Sequence, residues 1–203
     1  MVILCVAVGY IFGCFLTAEA VARRKTGKSA CDIGTKNPGT VNIGGTLGLK
    51  WAAVTLFGDI AKTAAACALC RYVLFSSLGD MAILYAGIGT ALGHGFPFWN
   101  RFRGGRGVAV TCSYTFFFSP LWGIIADACG LITVLATGYT AVGALVIPVL
   151  FIFPAFIKYG TNAGLAAMAG AAVVLLLHRD SIKRLINGTE KKARIPFLLK
   201  RRR

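Results

Sequence analysis

The fold of this chain is decided by GHGFPFWNRFRGGRG, residues 93–107, a polar loop with apolar sequence on both sides. The loop contains one histidine, three arginines and, after Gly93, four further glycines. Glycines let backbone N–H groups approach a ligand, and a helix beginning at Val108 would add the positive end of its dipole. Arginines in such a loop indicate a bound anion, most simply a phosphate. The alternative is a basic loop that only sets membrane topology, and the loop by itself leaves both open.

The composition around this loop is that of an integral membrane protein. Of the 203 residues, 57% are hydrophobic and only 14% are charged, whereas about 25% of the residues in soluble domains are charged. A net charge of +15 would suit a nucleic-acid-binding protein, but the basic residues lie between long apolar runs rather than on one soluble face. We therefore exclude nucleic acid as a partner and expect contact with membrane lipids.

The cysteines give no indication of a metal site. Most of the seven lie inside apolar runs, where cysteine packs as a small hydrophobic residue. Cys67 and Cys70 have a CxxC spacing, but neither a second cysteine pair nor a neighbouring histidine accompanies them. We expect no metal and no cofactor.

The apolar segments predict an all-α polytopic membrane protein with about seven short transmembrane helices. Three of the predicted helices are the apolar runs 1–22, 49–72 and 81–92. Between Arg106 and His178 the chain is almost wholly apolar, which leaves room for four more. The breaks expected between those four are residues 119–120, 137–139 and 158–160.

Lysine and arginine are concentrated in three polar segments, which assigns each segment to a side of the membrane. They lie in residues 23–50, in the loop 93–107 and after His178, with few elsewhere. The positive-inside rule places these segments in the cytoplasm, so we expect the N-terminus outside and the C-terminus inside. No Lys or Arg precedes the first apolar run, so we expect this run to be a retained span and not a signal peptide. The chain is then one membrane domain, residues 1–203, with a basic cytoplasmic tail, residues 179–203.

Three polar motifs are thereby brought to the inner face: GTKNPGTVN (residues 34–42), GHGFPFWNRFRGGRGVA (93–109) and HRDSIKRLINGTE (178–190). In order and spacing they resemble the three motifs of the acyl-phosphate:glycerol-3-phosphate acyltransferases, the PlsY family of bacterial membrane enzymes. The resemblance covers nearly the whole chain, including the break at Pro120 and the spacing of Asp59 and Lys62. The second motif is the most specific. Its matching residues are His94, Phe96, Pro97, Phe102, Gly104, Gly105, Gly107 and Val108.

The resemblance implies an enzyme that transfers a fatty acyl group from acyl-phosphate to the 1-hydroxyl of glycerol 3-phosphate. The product would be lysophosphatidic acid, in the first step of phospholipid synthesis. It also implies a multi-pass protein of the bacterial cytoplasmic membrane with its active site on the cytoplasmic face, and we expect a monomer. Acyl-phosphate is an activated mixed anhydride, so the protein has mainly to hold two anions together and stabilise developing charge.

The predicted site residues fall into three groups. The catalytic candidates are His178, Thr35 and Ser181. The candidates for substrate and phosphate binding are Arg106, Gly104, Gly105, Arg103, Lys36, Asn37, Asn42 and His94, with Arg101 as a further positive charge. The candidates for structural support are Glu190, Asp59 and Lys62. Asp59 and Lys62 are one helical turn apart within an apolar run, and the pair either stabilises the helix bundle or faces the substrate. His178 would orient or deprotonate the acceptor hydroxyl, although the departing phosphate can take that proton itself.

Several positions depart from the family pattern. Gly45 stands where the family has an arginine, Ala141 where it usually has a serine, and Ser181 where it has an asparagine. Losing one charge-assisted phosphate contact costs about 1.5–3 kcal/mol, and Lys36 is placed to return a charge near Gly45.

These departures keep a second hypothesis open, a non-catalytic or altered-acceptor relative that binds acyl-phosphate or anionic lipid. A small transporter, suggested by Asp59 and Asp127 within apolar runs, is disfavoured because the polar motifs share one face instead of the bilayer midplane.

Overall fold

A computed structural model describes residues 1–192, and every regular element in that range is helical. The last part of the predicted basic tail, residues 193–203, lies outside the described range. The α-helices of residues 1–192 are α1 (Val2–Gly13), α2 (Thr17–Thr26), α3 (Thr40–Leu47), α4 (Leu49–Ala68), α5 (Met81–Gly95), α6 (Val108–Phe118), α7 (Pro120–Thr137), α8 (Thr140–Tyr159), α9 (Thr161–Leu177) and α10 (Arg179–Ile186). A π-helical turn, Leu69–Leu74, continues α4.

The three breaks predicted in the apolar half of the chain are confirmed. Pro120 occupies the first turn of α7, where a missing backbone N–H removes no helical hydrogen bond. Gly138 ends α7 with a φ of 80°, and Gly160 separates α8 from α9 with a φ of 87°. Both angles lie in the left-handed region that glycine adopts without strain. Local turn chemistry therefore sets these helix boundaries.

Fewer helices are long enough to cross a membrane than the seven expected. Four apolar segments pass on length and composition, namely Val2–Thr26, Leu49–Leu74, Pro120–Thr137 and Thr140–Tyr159. A fifth is reached if α9 and α10, bent by 64°, count as one span. The remaining apolar helices, α5 and α6, have 15 and 11 residues, while a full span takes about 17–25. The helical membrane fold is confirmed, and the number of crossings stays a prediction.

Helices α1 and α5 pack with their backbones in direct contact. A Cβ added at Gly9 or Gly13 of α1 would collide with backbone atoms of α5, and one added at Gly89 or Gly93 of α5 would collide with backbone atoms of α1. Small residues four apart allow helices to approach this closely in membranes. The contact fixes the end of α5, where the polar loop of residues 93–107 begins, against α1.

The break between α1 and α2 is held by side chains from distant elements. Lys62 Nζ of α4 donates hydrogen bonds to the carbonyl oxygens of Gly13 and Phe15, at 3.4 and 2.8 Å. Trp99 Nε1 donates to the carbonyl oxygen of Cys14 at 2.7 Å. Carbonyl groups left free by the helix break are thus satisfied by donors from distant parts of the chain.

Candidate active site

One large cavity, of about 1480 Å³, joins a polar end to an apolar groove. The polar end is lined by residues of the three motifs, namely Thr35, Lys36, Asn37, Arg106, His178, Arg184 and Glu190. The apolar groove is lined by Leu56 and Ile60 of α4 and by Val108, Cys112, Phe116 and Phe117 of α6. Asp127 of α7, which the sequence does not place, lines the same cavity. A cavity of this shape suits an amphipathic ligand with an anionic head.

The first motif forms a loop that is stabilised by hydrogen bonds from Asn42 on the side away from the cavity. Asn42 is buried on α3; its Oδ1 accepts a hydrogen bond from the Thr35 N–H at 2.7 Å, and its Nδ2 donates to the Ala30 carbonyl at 3.0 Å. Both ends of the amide are therefore used within the protein, and Asn42 does not line the cavity. Thr35 and Lys36 are exposed, with Lys36 in the left-handed region at a φ of 61°. Asn42 thus positions the loop, while Thr35, Lys36 and Asn37 face the cavity.

The second motif places Arg106 at the start of α6. Helix α6 begins at Val108, as predicted, and Gly107, Val108 and Ala109 line the cavity, so the N-terminal end of this helix faces it. Gly104 and Gly105 lie behind, packed against the backbone at the end of α5. The Gly105 N–H donates to the His94 carbonyl at 2.9 Å.

The structure places Gly104 and Gly105 behind the cavity, and their predicted part in phosphate binding stays a prediction. The Gly105 amide is already occupied by the His94 carbonyl, and neither Gly104 nor Gly105 lines the cavity. Their small size is used instead for close packing, because a Cβ at either position would collide with the end of α5 or with the His94 ring. The close packing of these glycines therefore brings Arg106 to the cavity, and the Gly105 amide is used within the protein.

The third motif bends the chain at His178 and places it against the cavity. His178 is 1% exposed, and its Nδ1 lies 2.9 Å from the Val174 carbonyl oxygen. A carbonyl oxygen only accepts, so Nδ1 carries the proton and Nε2 is left as a base. Burial is the largest effect and lowers the pKa of His178; the hydrogen bond to the Val174 carbonyl opposes this, the charge of Arg106 adds to the lowering, and the charge of Glu190 opposes it. His178 is therefore neutral at physiological pH.

Glu190 orders the two arginines of the polar end. Its carboxylate pairs with Arg184 Nε, and Arg106 Nη1 lies 4.0 Å from its other oxygen. Arg184 Nη2 also donates to Ser181 Oγ at 3.0 Å. Ser181 is buried and does not line the cavity, so the structure does not bring this predicted catalytic residue to the other candidates. It orients Arg184 instead.

Asp59, Lys62 and His94 form a buried polar cluster beneath the cavity. Lys62 Nζ lies 2.9 Å from Asp59 Oδ1 and 2.8 Å from His94 Nδ1. Because an ammonium group only donates, Nδ1 of His94 is an acceptor and its proton is on Nε2. His94 and Asp59 line the cavity and Lys62 does not. Lys62 therefore stabilises the α1–α2 break while Asp59 lines the cavity, and the choice between the two alternatives for the pair stays a prediction.

Arg103 and Arg101 do not reach the cavity. They line a separate pocket of about 350 Å³ together with Arg23, Ser29, Cys31, Asp32, Trp99 and Asn100. We call it the arginine pocket. The structure therefore divides the basic residues of the central loop between two sites, with Arg106 at the cavity and its neighbours at the arginine pocket.

Two residues at or near the two pockets were not singled out from the sequence, Arg184 and Glu19. Arg184 was treated only as one of the basic residues of a short interfacial helix, yet it lines the cavity. The buried carboxylate of Glu19 accepts hydrogen bonds from Arg23 Nε at 2.6 Å and the Ala30 N–H at 2.8 Å. A single acid in a strongly basic segment was the available signal for Glu19, and the spacing of three from Ser181 was the signal for Arg184.

The fold and the site together define a class: helical membrane proteins in which a cluster of basic side chains opens onto an apolar groove. The chain matches the family described as glycerol-3-phosphate acyltransferase over residues 3–188. It belongs to that family, which confirms the resemblance read from the three motifs.

Individual relatives agree with this assignment. The chain is 33% identical to glycerol-3-phosphate acyltransferase 1 of Lactobacillus johnsonii over 96% of its own length and 94% of that protein. It is 30% identical to glycerol-3-phosphate acyltransferase of Thermoanaerobacter sp., over 94% of each chain. Both relatives are bacterial.

Two solved structures share the fold. The crystal structure of PlsY (YgiH), an integral membrane glycerol 3-phosphate acyltransferase, in its glycerol 3-phosphate form has a TM-score of 0.84 at 24% identity, over 98% of each chain. Its lysophosphatidic acid form has a TM-score of 0.80 at 24% identity, over 94% of each chain. The helical arrangement is therefore that of an integral membrane protein.

Proposed function

We propose that this protein transfers a fatty acyl group from acyl-phosphate to the 1-hydroxyl of glycerol 3-phosphate, giving lysophosphatidic acid and phosphate. The observation that carries the proposal is the single cavity in which Lys36, Arg106 and His178, one from each motif, share a polar end that opens onto an apolar groove. Its curated relatives are named glycerol-3-phosphate acyltransferases. The protein is then an acyltransferase of phospholipid synthesis.

The polar end holds the phosphate groups. Lys36, Arg106 and Arg184 supply positive charge around one cavity, and the N-terminal end of α6 adds to the same field. Glu190 keeps Arg106 and Arg184 in place and offsets part of their mutual repulsion. A phosphate entering the cavity therefore meets guanidinium donors that are already ordered.

The apolar groove holds the acyl chain of the donor. Leu56 and Ile60 face it from α4, and Phe116 and Phe117 face it from α6. Each methylene buried there contributes about 0.8 kcal/mol, so chain length is recognised by burial. The acyl carbonyl then lies where the groove meets the phosphate-binding end, beside the acceptor hydroxyl.

The reaction follows from this placement. The 1-hydroxyl oxygen of glycerol 3-phosphate attacks the acyl carbonyl carbon, and the bond from that carbon to the phosphate oxygen breaks. His178 Nε2 takes the hydroxyl proton, which then passes to the departing phosphate. Arg106 stabilises the charge that develops on the carbonyl oxygen and on the leaving group. Because the mixed anhydride is already activated, positioning and charge stabilisation supply most of the acceleration.

Lys36 takes the place of the arginine that the family carries at position 45. Gly45 lines the cavity, and a Cβ added there has no heavy atom within 4 Å. The space is therefore open to the acceptor, and Lys36 lines the same cavity. This open space also favours a second candidate function, acylation of a polyol phosphate larger than glycerol 3-phosphate.

We place the protein as a single domain, residues 1–203, and a monomer in the bacterial cytoplasmic membrane. The N-terminus is outside, the C-terminus is inside and the cavity faces the cytoplasm, because the basic residues concentrate around it. Seven crossings are reached with α5 and α6 as short spans, which a locally thinned bilayer accommodates.

The test is acylation of radiolabelled glycerol 3-phosphate by the purified protein, with acyl-phosphate as donor. We expect product from the parent, loss of most activity in Arg106→Ala and a lower rate in His178→Ala. Lys50→Ala, a basic residue of the same face that does not line the cavity, is the matched control and should retain activity. Absence of product from folded parent protein would overturn the proposal, and product from a larger polyol phosphate alone would favour the second candidate.

A further inference from the structure

We propose that the arginine pocket binds the phosphate group of an anionic membrane lipid. The pocket is built by the end of α2, the following loop and the loop after α5. Its volume of about 350 Å³ is enough for a lipid headgroup and lies within the range of ligand-binding clefts, about 300–1,000 Å³. It is separate from the catalytic cavity, so the proposal does not rest on the acyl-transfer reaction.

The charge of the pocket favours an anion. Three guanidinium groups line it against one carboxylate, Asp32. Arg23 is paired with Glu19 at 2.6 Å, while the side chains of Arg101 and Arg103 make no ion pair among residues 1–192. Each guanidinium group presents parallel N–H donors that can bind two oxygens of one phosphate. Two arginines are thus available to the same anion.

The loop that carries these arginines is ordered by its own hydrogen bonds before any ligand binds. Asn100 Nδ2 donates to the Arg103 carbonyl at 2.6 Å, and the Arg103 N–H donates to the Asn100 carbonyl at 3.0 Å. Trp99 is anchored to the α1–α2 break. Arg101 and Phe102 have φ values of 54° and 57°, a conformation that costs energy for residues other than glycine. The two guanidinium groups are therefore presented from an ordered loop.

Exposed aromatic side chains on the same loop identify a lipid as the source of the phosphate. Phe98, Trp99 and Phe102 are 62%, 46% and 61% exposed. Aromatic residues of this kind concentrate at the level of the lipid headgroups, where their rings contact acyl chains and glycerol. A loop that carries both exposed aromatic rings and two arginines suits a phosphate attached to lipid chains better than a free soluble anion.

The experiment is a titration of the purified full-length protein with phosphatidylglycerol or phosphatidylcholine, followed by native mass spectrometry without substrates. The test variant is Arg101→Gln with Arg103→Gln, and the control is Arg24→Gln with Lys28→Gln. The control removes the same charge from exposed positions that do not line the pocket. We expect the test variant to need about tenfold more phosphatidylglycerol for half occupancy, and the control less than about twofold more. Binding of phosphatidylcholine should be the same in all three proteins.

Equal losses in the two variants would overturn the proposal, because they would show a general effect of charge. Displacement of phosphatidylglycerol by an equal concentration of inorganic phosphate would also overturn it, since the pocket would then be a site for soluble anions. Unchanged melting temperatures of both variants establish that an observed loss comes from binding and not from unfolding. Because no acyl donor is present, these outcomes are independent of the acylation assay.

Discussion

Lys36 offers the sharpest test of how the polar end of the cavity works. If its ammonium replaces the family's arginine, Lys36→Ala removes one charge-assisted contact to the phosphate of the acceptor. Such a contact contributes about 1.5–3 kcal/mol. Lys36 is exposed, so solvent screening holds the effect near the lower figure, about tenfold in kcat/KM.

The position of Gly45 provides a rescue experiment. Its Cβ direction is open and lines the same cavity, so Gly45→Arg in the Lys36→Ala background should restore most of the lost kcat/KM. Gly45→Met in the same background is the matched control, because it adds a long side chain without charge. Replacing a glycine within α3 also raises helix propensity by about 1 kcal/mol, and both variants share this gain.

The assay is the initial rate of acylation against glycerol 3-phosphate concentration at saturating acyl-phosphate. The loss in Lys36→Ala should appear in KM for the acceptor and leave KM for the donor unchanged. An unchanged acceptor KM in Lys36→Ala would refute the assignment of Lys36. Equal rescue by arginine and methionine would refute the argument from charge, since only the arginine restores a cation.

Four further outcomes follow from the structure. Activity should fall as the pH decreases below 6.5 and His178 becomes protonated. The midpoint of this fall should lie below the ordinary histidine pKa, because burial lowers the pKa of His178. A profile of log kcat/KM against pH measures the midpoint, and a value above 6.5 would contradict the assignment. Because of the same shift, His178 binds a proton more readily in the unfolded chain than in the folded protein. His178 therefore contributes stability that is present above pH 6.5 and is lost as the pH falls toward the pKa of His178 in the folded protein. Melting temperatures measured over a pH series, with His178→Gln as control, test this. Lys62→Met should lower the free energy of unfolding by about 3–5 kcal/mol, because Asp59 is left buried without its partner. Adding Asp59→Asn should recover part of this loss, and unfolding of the detergent-solubilised protein measures both effects. Cys112→Trp fills the apolar groove and should shift the donor preference to acyl-phosphates shorter by several methylenes, while Cys129→Trp, outside the cavity, should not.

The helix boundaries were predictable because their signals are local. Pro120, Gly138 and Gly160 end or begin helices through their own backbone chemistry, which is independent of the rest of the chain. The motif residues of the polar end were also predictable, since Lys36, Arg106 and His178 lie in recognisable segments and meet in one cavity.

The remaining features depend on contacts between distant parts of the chain. The Gly105 amide was expected to bind phosphate, and only the packing of the loop against α5 shows that the His94 carbonyl uses it. Arg103 and Arg106 are three residues apart, yet Arg106 lines the cavity and Arg103 lines the arginine pocket. Neither fact has a signature in composition or spacing.

The break between α1 and α2 has a consequence for the order in which the protein assembles during synthesis. The carbonyl groups of Gly13 and Phe15 find their donor in Lys62, and that of Cys14 finds its donor in Trp99. Until those residues leave the ribosome, the carbonyl groups of the break lack the donors that they have in the folded protein. The first helix therefore cannot take its final bent shape alone, and it is completed only after about half of the chain has followed it.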